Sequence, residues 1–221
     1  MSYTPSLTEI ELVTGEYLDL CAPDPQRISL YAVAHALGNT CRYGGNCTDY
    51  YSVAEHAVLV SEKLEQMGAS LALQFAGLHH DDAEFVLCDV PRPMKPLLGQ
   101  YDKLTVRMDL AIWRALACDN GHALWYTDLY TDPLLKMVDR WACLHEAKAL
   151  MPSRGRNWDN IWWDDAKTPI PTTPADIIRC DPPKTATKRY QVHHYRLLER
   201  ARTARRTFVD EMDLGAALCY T

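Results

Sequence analysis

Ser52-Val53-Ala54-Glu55-His56-Ala57-Val58-Leu59-Val60 is the stretch in which the fold of this chain declares itself. Ser52 and Glu55 stand three residues apart as a capping box, each side chain taking a backbone N–H that the first helical turn leaves free. Val53, Ala57, Val60 and Leu64 then recur at helical spacing and predict one apolar stripe. His56 comes three residues after Val53 and four before Val60, so it points along the buried face. A single imidazole on such a face is ordinarily a hydrogen-bonded core residue. Its meaning changes with the partners that the downstream sequence offers.

Residues Leu71 to Leu87 read as one apolar helix, stopped by Pro91 and Pro93. It contains His79-His80-Asp81-Asp82 and Glu84, with His80 and Glu84 four apart and Asp81 and Glu84 three apart, so these can share a face. Three carboxylates and two imidazoles within two turns repel one another and lose solvation unless a cation compensates. The flanking Leu73, Phe75, Ala76, Leu78 and Phe85 argue against a merely exposed acidic face. A later helix opens at Pro133, with Asp132 or Thr131 as cap. Leu135, Val138, Ala142 and Ala149 form its inner stripe, and Asp139 sits beside that stripe. Two imidazoles (His56, His80) and two carboxylates (Asp81, Asp139) on helix faces are the ligand set of a divalent metal ion at the centre of a helical bundle. Such an ion lowers the pKa of bound water and aims it at phosphorus. The donor set does not choose among Mn, Co, Fe, Zn, Ni and Mg.

The rest of the chain sets the bounds. At 221 residues, with 48% hydrophobic and 24% charged side chains, a single soluble domain spanning residues 1–221 is expected. No run approaches the roughly 18 apolar residues of a membrane span, and the N-terminal residues lack the pattern of a secretory leader. The eight cysteines are scattered and none lies in a C-x-x-C pair, which predicts reduced thiols and a cytoplasmic protein. Residues 1–25 read as loop, 28–37 as a first helix ending near Gly38-Asn39, and Gly44-Gly45-Asn46 as a turn. Residues 152–187, rich in Pro and containing Trp158, Trp162 and Trp163, read as an ordered excursion, and 188–212 as a final helix. The run from Lys184 to Arg206 holds eight basic residues against Glu199. With a net charge of −6, it is read as a solvated face and not as a stable nucleic-acid contact.

Several of these residues stand together in an order that resembles a known family. They are Arg42-Tyr43, Tyr51 to His56, Leu78 to Glu84, Asp89-Val90-Pro91-Arg92-Pro93-Met94-Lys95 and Lys136 to Asp139. Over about residues 28–150 the chain resembles the HD-domain metal-dependent phosphohydrolases, within them the branch of 5′-deoxynucleotidases and phage dATP triphosphohydrolases. The resemblance implies an all-α HD-domain bundle with a central metal site. It makes His56, His80, Asp81 and Asp139 the metal ligands and Glu84 and Asp89 the catalytic carboxylates. Arg42 and Lys95 become phosphate contacts, joined by Tyr43, Lys136 and His79 as substrate contacts. It implies a dATP triphosphohydrolase, with a 5′-deoxynucleotidase as runner-up and a catalytically silent nucleotide-binding regulator as the reading from another class. A homo-oligomer without membrane partners is expected. Two positions depart from the pattern: Asp82 replaces a small residue and adds charge beside the metal, and Cys88 replaces a glycine before Asp89.

Overall fold

The capping box forms as its spacing predicts. Ser52 Oγ accepts the Glu55 N–H at 3.2 Å, and Glu55 Oε2 accepts the Ser52 N–H at 3.1 Å. The computed structural model in which this is seen describes residues 5–116, 126–156, 158 and 170–218, with 126, 127 and 205–218 described as backbone. The helix so started, α2 (Val53–Gln66), is buried along most of its length because α1 (Leu30–Asn39), α3 (Leu71–His79), α7 (Pro133–Leu150) and α8 (Pro183–Leu218) all pack on it. The remaining helices are α4 (Glu84–Leu87), α5 (Tyr101–Leu116) and α6 (Tyr126–Tyr130). The described residues are thus mostly helical, as expected of an all-α chain.

Three further helices, α1, α3 and α7, begin on a residue that caps them. Ser29 accepts from Ala32 N–H at 3.1 Å, Ser70 from Leu73 N–H at 3.2 Å, and Asp132 from Leu134 N–H at 2.7 Å. Two apolar clusters meet at α2. One joins Val33, Leu37, Val53, Leu78, Met108, Ile112, Tyr190 and Leu197. The other joins Val60, Leu64, Leu73, Leu135, Val138 and Ala142.

Several expectations are corrected. Residues 1–25 are not all loop: β1 (Glu9–Glu11) pairs antiparallel with β2 (Tyr17–Asp19), and Leu18 of this small hairpin is fully buried. The helix expected over Leu71–Leu87 divides into α3 and α4, because i→i+3 bonds at His79–Asp82, Asp81–Glu84 and Asp82–Phe85 tighten the chain between them. Ala149 lies outside the inner stripe of α7, which continues instead through Glu146, Ala147 and Leu150. The final helix starts five residues earlier than 188 and runs to Leu218. α5 is added to the expected elements. Within the excursion, 170–182 is pinned to α2 by the buried Lys63, whose Nζ donates to Asp176 Oδ2 at 2.8 Å and to the Pro171 carbonyl at 2.7 Å. Trp162, Trp163 and Pro169 lie outside the described residues. Among those residues no helix is long and apolar enough to cross a membrane.

Candidate metal centre

Three elements deliver four side chains to one point. His56 is the fourth residue of α2, His80 caps the C-terminus of α3 with Asp81 next to it, and Asp139 is in the second turn of α7. His56 Nε2 lies 3.3 Å from His80 Nε2, 3.2 Å from Asp139 Oδ1 and 3.6 Å from Asp81 Oδ2. His80 Nε2 lies 3.4 Å from Asp81 Oδ2 and 3.6 Å from Asp139 Oδ1. Donor atoms about 2.0–2.2 Å from a common ion stand about 2.8–3.6 Å from one another in octahedral or tetrahedral arrangements. All five separations fall in that range. The tight turn between α3 and α4 is what lets two consecutive residues, His80 and Asp81, reach the same centre.

The far nitrogens fix which way the rings face. His80 Nδ1–H donates to the Gly77 carbonyl at 2.8 Å, so its Nε2 lone pair is directed to the centre. His56 Nδ1–H donates to Glu146 Oε1 at 2.6 Å, and Glu146 is fully buried. A carboxylate behind an imidazole is the usual outer support of a metal-binding histidine. Burial and Arg42 disfavour charge on His56, yet Glu146 and Asp139 raise its pKa to about 10. Against the cost of burial, the neighbouring imidazoles of His56 and His80 hold Asp139 well below the usual carboxylate range. The carboxylates thus demand positive charge at this point, which a divalent ion would supply. His56, Cys143 and Glu146 form a second grouping of potential ligands. It fits a metal less well, since Nδ1 and Glu146 are committed to each other and burial pushes the Cys143 thiol well up.

A cleft of about 610 Å³ opens beside the centre. It is lined by nine of the eleven residues named from the sequence: Arg42, Tyr43, His80, Asp81, Glu84, Asp89, Lys95, Lys136 and Asp139. Glu84 Oε1 lies 3.5 Å from Lys95 Nζ, while its buried Oε2 has no hydrogen-bond partner. Burial, then Asp81 and Asp89, push the Glu84 carboxyl well up. Asp89 Oδ2 accepts the Gly44 N–H at 3.2 Å, in a turn where Tyr43, Gly44 and Gly45 all have positive φ. Cys88 sits at φ 63° and ψ 163°, a backbone region that belongs almost wholly to glycine. The Asp89 presentation expected of a glycine is therefore kept, with strain.

Some assignments change. Arg42 is buried and donates through Nε to Glu146 Oε2 at 3.1 Å, with Nη1 3.5 Å from Asp81 Oδ2. The Tyr43 hydroxyl donates to the same Glu146 oxygen at 2.8 Å. Both line the cleft, with these polar atoms also hydrogen-bonded within the protein. His79 does not line the cleft: its Nδ1 is 2.6 Å from Asp82 Oδ2 and its Nε2 is 3.0 Å from His194 Nδ1, inside the core. Asp82 therefore adds no charge to the cleft side of the turn, because it is buried behind it with His79 and Tyr190. The sequence reading also missed Cys143 and Glu146, four and seven residues after Asp139 on the same helix face. Arg140 and Trp158, which line the cleft, were missed too. The i, i+4, i+7 spacing on α7 was the available signal for the first two.

No family model matches the chain. It is similar to an uncharacterized protein of Rhodobacter capsulatus, 37% identical over 106 residues that cover 46% of this chain and 54% of the relative. It is also similar to the uncharacterized protein YfdR of Escherichia coli, 39% identical over 103 residues, 47% of this chain and 55% of the relative. The chain thus spans about half the length of the curated relatives it matches.

Proposed function

We propose that this chain is a metal-dependent phosphohydrolase of the HD-domain type acting on deoxynucleotides, and in particular a dATP triphosphohydrolase that releases deoxynucleoside and triphosphate. The observation that carries the reading is the approach of Asp81 and Asp139 to both the His56 and His80 imidazoles, at 3.2–3.6 Å, at the wall of a cleft that also holds Glu84 and Asp89. These four side chains would hold a divalent ion, which when bound supplies Lewis acidity to a phosphate oxygen and lowers the pKa of water. Glu84, which lines the cleft, would accept a proton from an attacking water. Asp89, whose Oδ2 accepts the Gly44 N–H, lines the same cleft and would share the work on water or position the leaving oxygen. Lys95, Lys136 and Arg140 line the same cleft and supply charge for a phosphate tail longer than one group.

The test is a panel of dATP, ATP and dAMP offered to metal-loaded protein, with products resolved as phosphate, pyrophosphate or triphosphate. Chelator-sensitive triphosphate release from dATP, faster than from ATP, is expected. Glu84→Gln should retain metal and lose about 100- to 10,000-fold in turnover. Hydrolysis of dAMP with dATP untouched would instead assign a 5′-deoxynucleotidase, and metal binding without any turnover would leave a nucleotide-binding regulator.

A further inference from the structure

His79 and Asp82 flank the two candidate ligands of the α3–α4 turn. At about 100° per residue, the mean direction of His80 and Asp81 is opposite to the mean direction of His79 and Asp82. One side of the turn meets the cleft and the other is fastened into the core. On the core side His79 Nδ1–H donates to Asp82 Oδ2 at 2.6 Å, the Tyr190 hydroxyl donates to Asp82 Oδ1, and His79 Nε2 shares a hydrogen with His194 Nδ1 at 3.0 Å. The four residues are between 0% and 3% exposed. The Tyr130 hydroxyl adds a bond to the His79 carbonyl at 2.6 Å. Tyr190 and His194 belong to α8, which lies outside the stretch carrying the family resemblance.

An apolar set of the same volume would hold α3 and α8 together at least as well. What hydrogen bonds of this length add is direction, since they fix the rotation of the turn and hydrocarbon contacts do not. A metal site tolerates only about 0.2 Å in its ligand distances. A small rotation at residues 80–81 is therefore felt at the centre long before it is felt by the bundle. We infer that Asp82, His79, Tyr190 and His194 are positioning residues of the metal centre, and that they make the C-terminal helix α8 a part of it. The inference rests on the metal-binding reading above.

Tyr190→Phe removes one hydroxyl and keeps the ring. Co²⁺ titrated calorimetrically into the metal-stripped, full-length variant should bind about 10- to 100-fold more weakly than to wild type. The visible absorption of the bound Co²⁺ should shift as well. Leu197→Ala, two turns further along α8 at a buried apolar residue, is the comparison. It should lower Tm at least as much as Tyr190→Phe, through its cavity, and leave Co²⁺ affinity within about twofold of wild type. Wild-type affinity and spectrum in Tyr190→Phe overturn the inference, as does equal weakening in Leu197→Ala. Wild-type protein that takes up no Co²⁺ overturns the metal-binding reading itself, and this inference with it.

Discussion

Glu146 is an acid with no exposure to water, and the groups that neutralise or hydrogen-bond it include His56 at 2.6 Å, Tyr43 at 2.8 Å and Arg42 at 3.1 Å. Arg42→Ala would leave that charge half-compensated in the core. Loss of one partner of a buried ion pair costs about 3–5 kcal/mol, so urea unfolding should show a loss of this size together with weaker metal binding. A KM effect alone, with stability intact, would restore Arg42 to the role of a phosphate clamp. Cys88 presents the opposite case, a residue whose replacement should help. Its backbone region costs a non-glycine residue about 1–3 kcal/mol, against about 0.5–1 kcal/mol for the extra chain entropy of glycine. Cys88→Gly is therefore expected to stabilise by about 1 kcal/mol in the urea midpoint, a net of those two terms. Cys88→Ala, which keeps a Cβ, should give no such gain. The candidate ligands could be picked out because His56, His80, Asp81 and Asp139 each fell at a helical spacing that would otherwise bury unpaired charge. Glu146 could not, because an acid late in a helix reads as surface until its partner 90 positions away is known.

The helices that began with a capping residue were read to within a residue or two: α2 at Ser52 and α7 at Asp132. The break between α3 and α4 escaped because the same apolar residues suit an α-helix and a run of tighter turns, and only convergence on a common centre separates the two. The hairpin escaped because strands of three residues carry too little alternation to register. Gly38 teaches a related lesson. It reads as a helix stop, and α1 does end one residue later, but its place in the fold is against the first turns of α8. A Cβ there would lie 2.3 Å from Thr187 Oγ1 and 2.9 Å from the Pro183 carbonyl oxygen. Gly38→Ala gains about 1 kcal/mol of helix propensity and incurs about 1–3 kcal/mol of overpacking. A net loss in thermal or urea stability is expected, and adding Thr187→Ser should not restore it, since the carbonyl and the hydroxyl both remain.

α8 also contributes to how the whole molecule responds to acid. It carries His193, bonded through Nε2 to Ser61 Oγ at 2.8 Å, and His194, bonded to His79; both are buried against α2 and α3. Burial first, then neighbouring positive groups, lower both imidazoles from the ordinary 6.5 to about 3. Above pH 6.5 neither state takes up a proton and the two residues contribute nothing to pH dependence. Below it the unfolded chain is protonated and the folded chain is not, so stability falls as pH falls through the window from 6.5 to about 3. Each histidine contributes a slope of up to about 1.4 kcal/mol per pH unit, or about 2 kcal/mol each by pH 5. That is a large part of the roughly 5–15 kcal/mol that holds a domain of this kind folded. His193→Gln keeps a donor toward Ser61 and removes one titration. Urea midpoints taken in chelator at pH 7.5 and 5.0 should therefore fall less for this variant than for wild type, by up to about 2 kcal/mol. An equal fall in both proteins would show that His193 is already protonated in the folded state, and would place the acid sensitivity in the carboxylates around His56 instead.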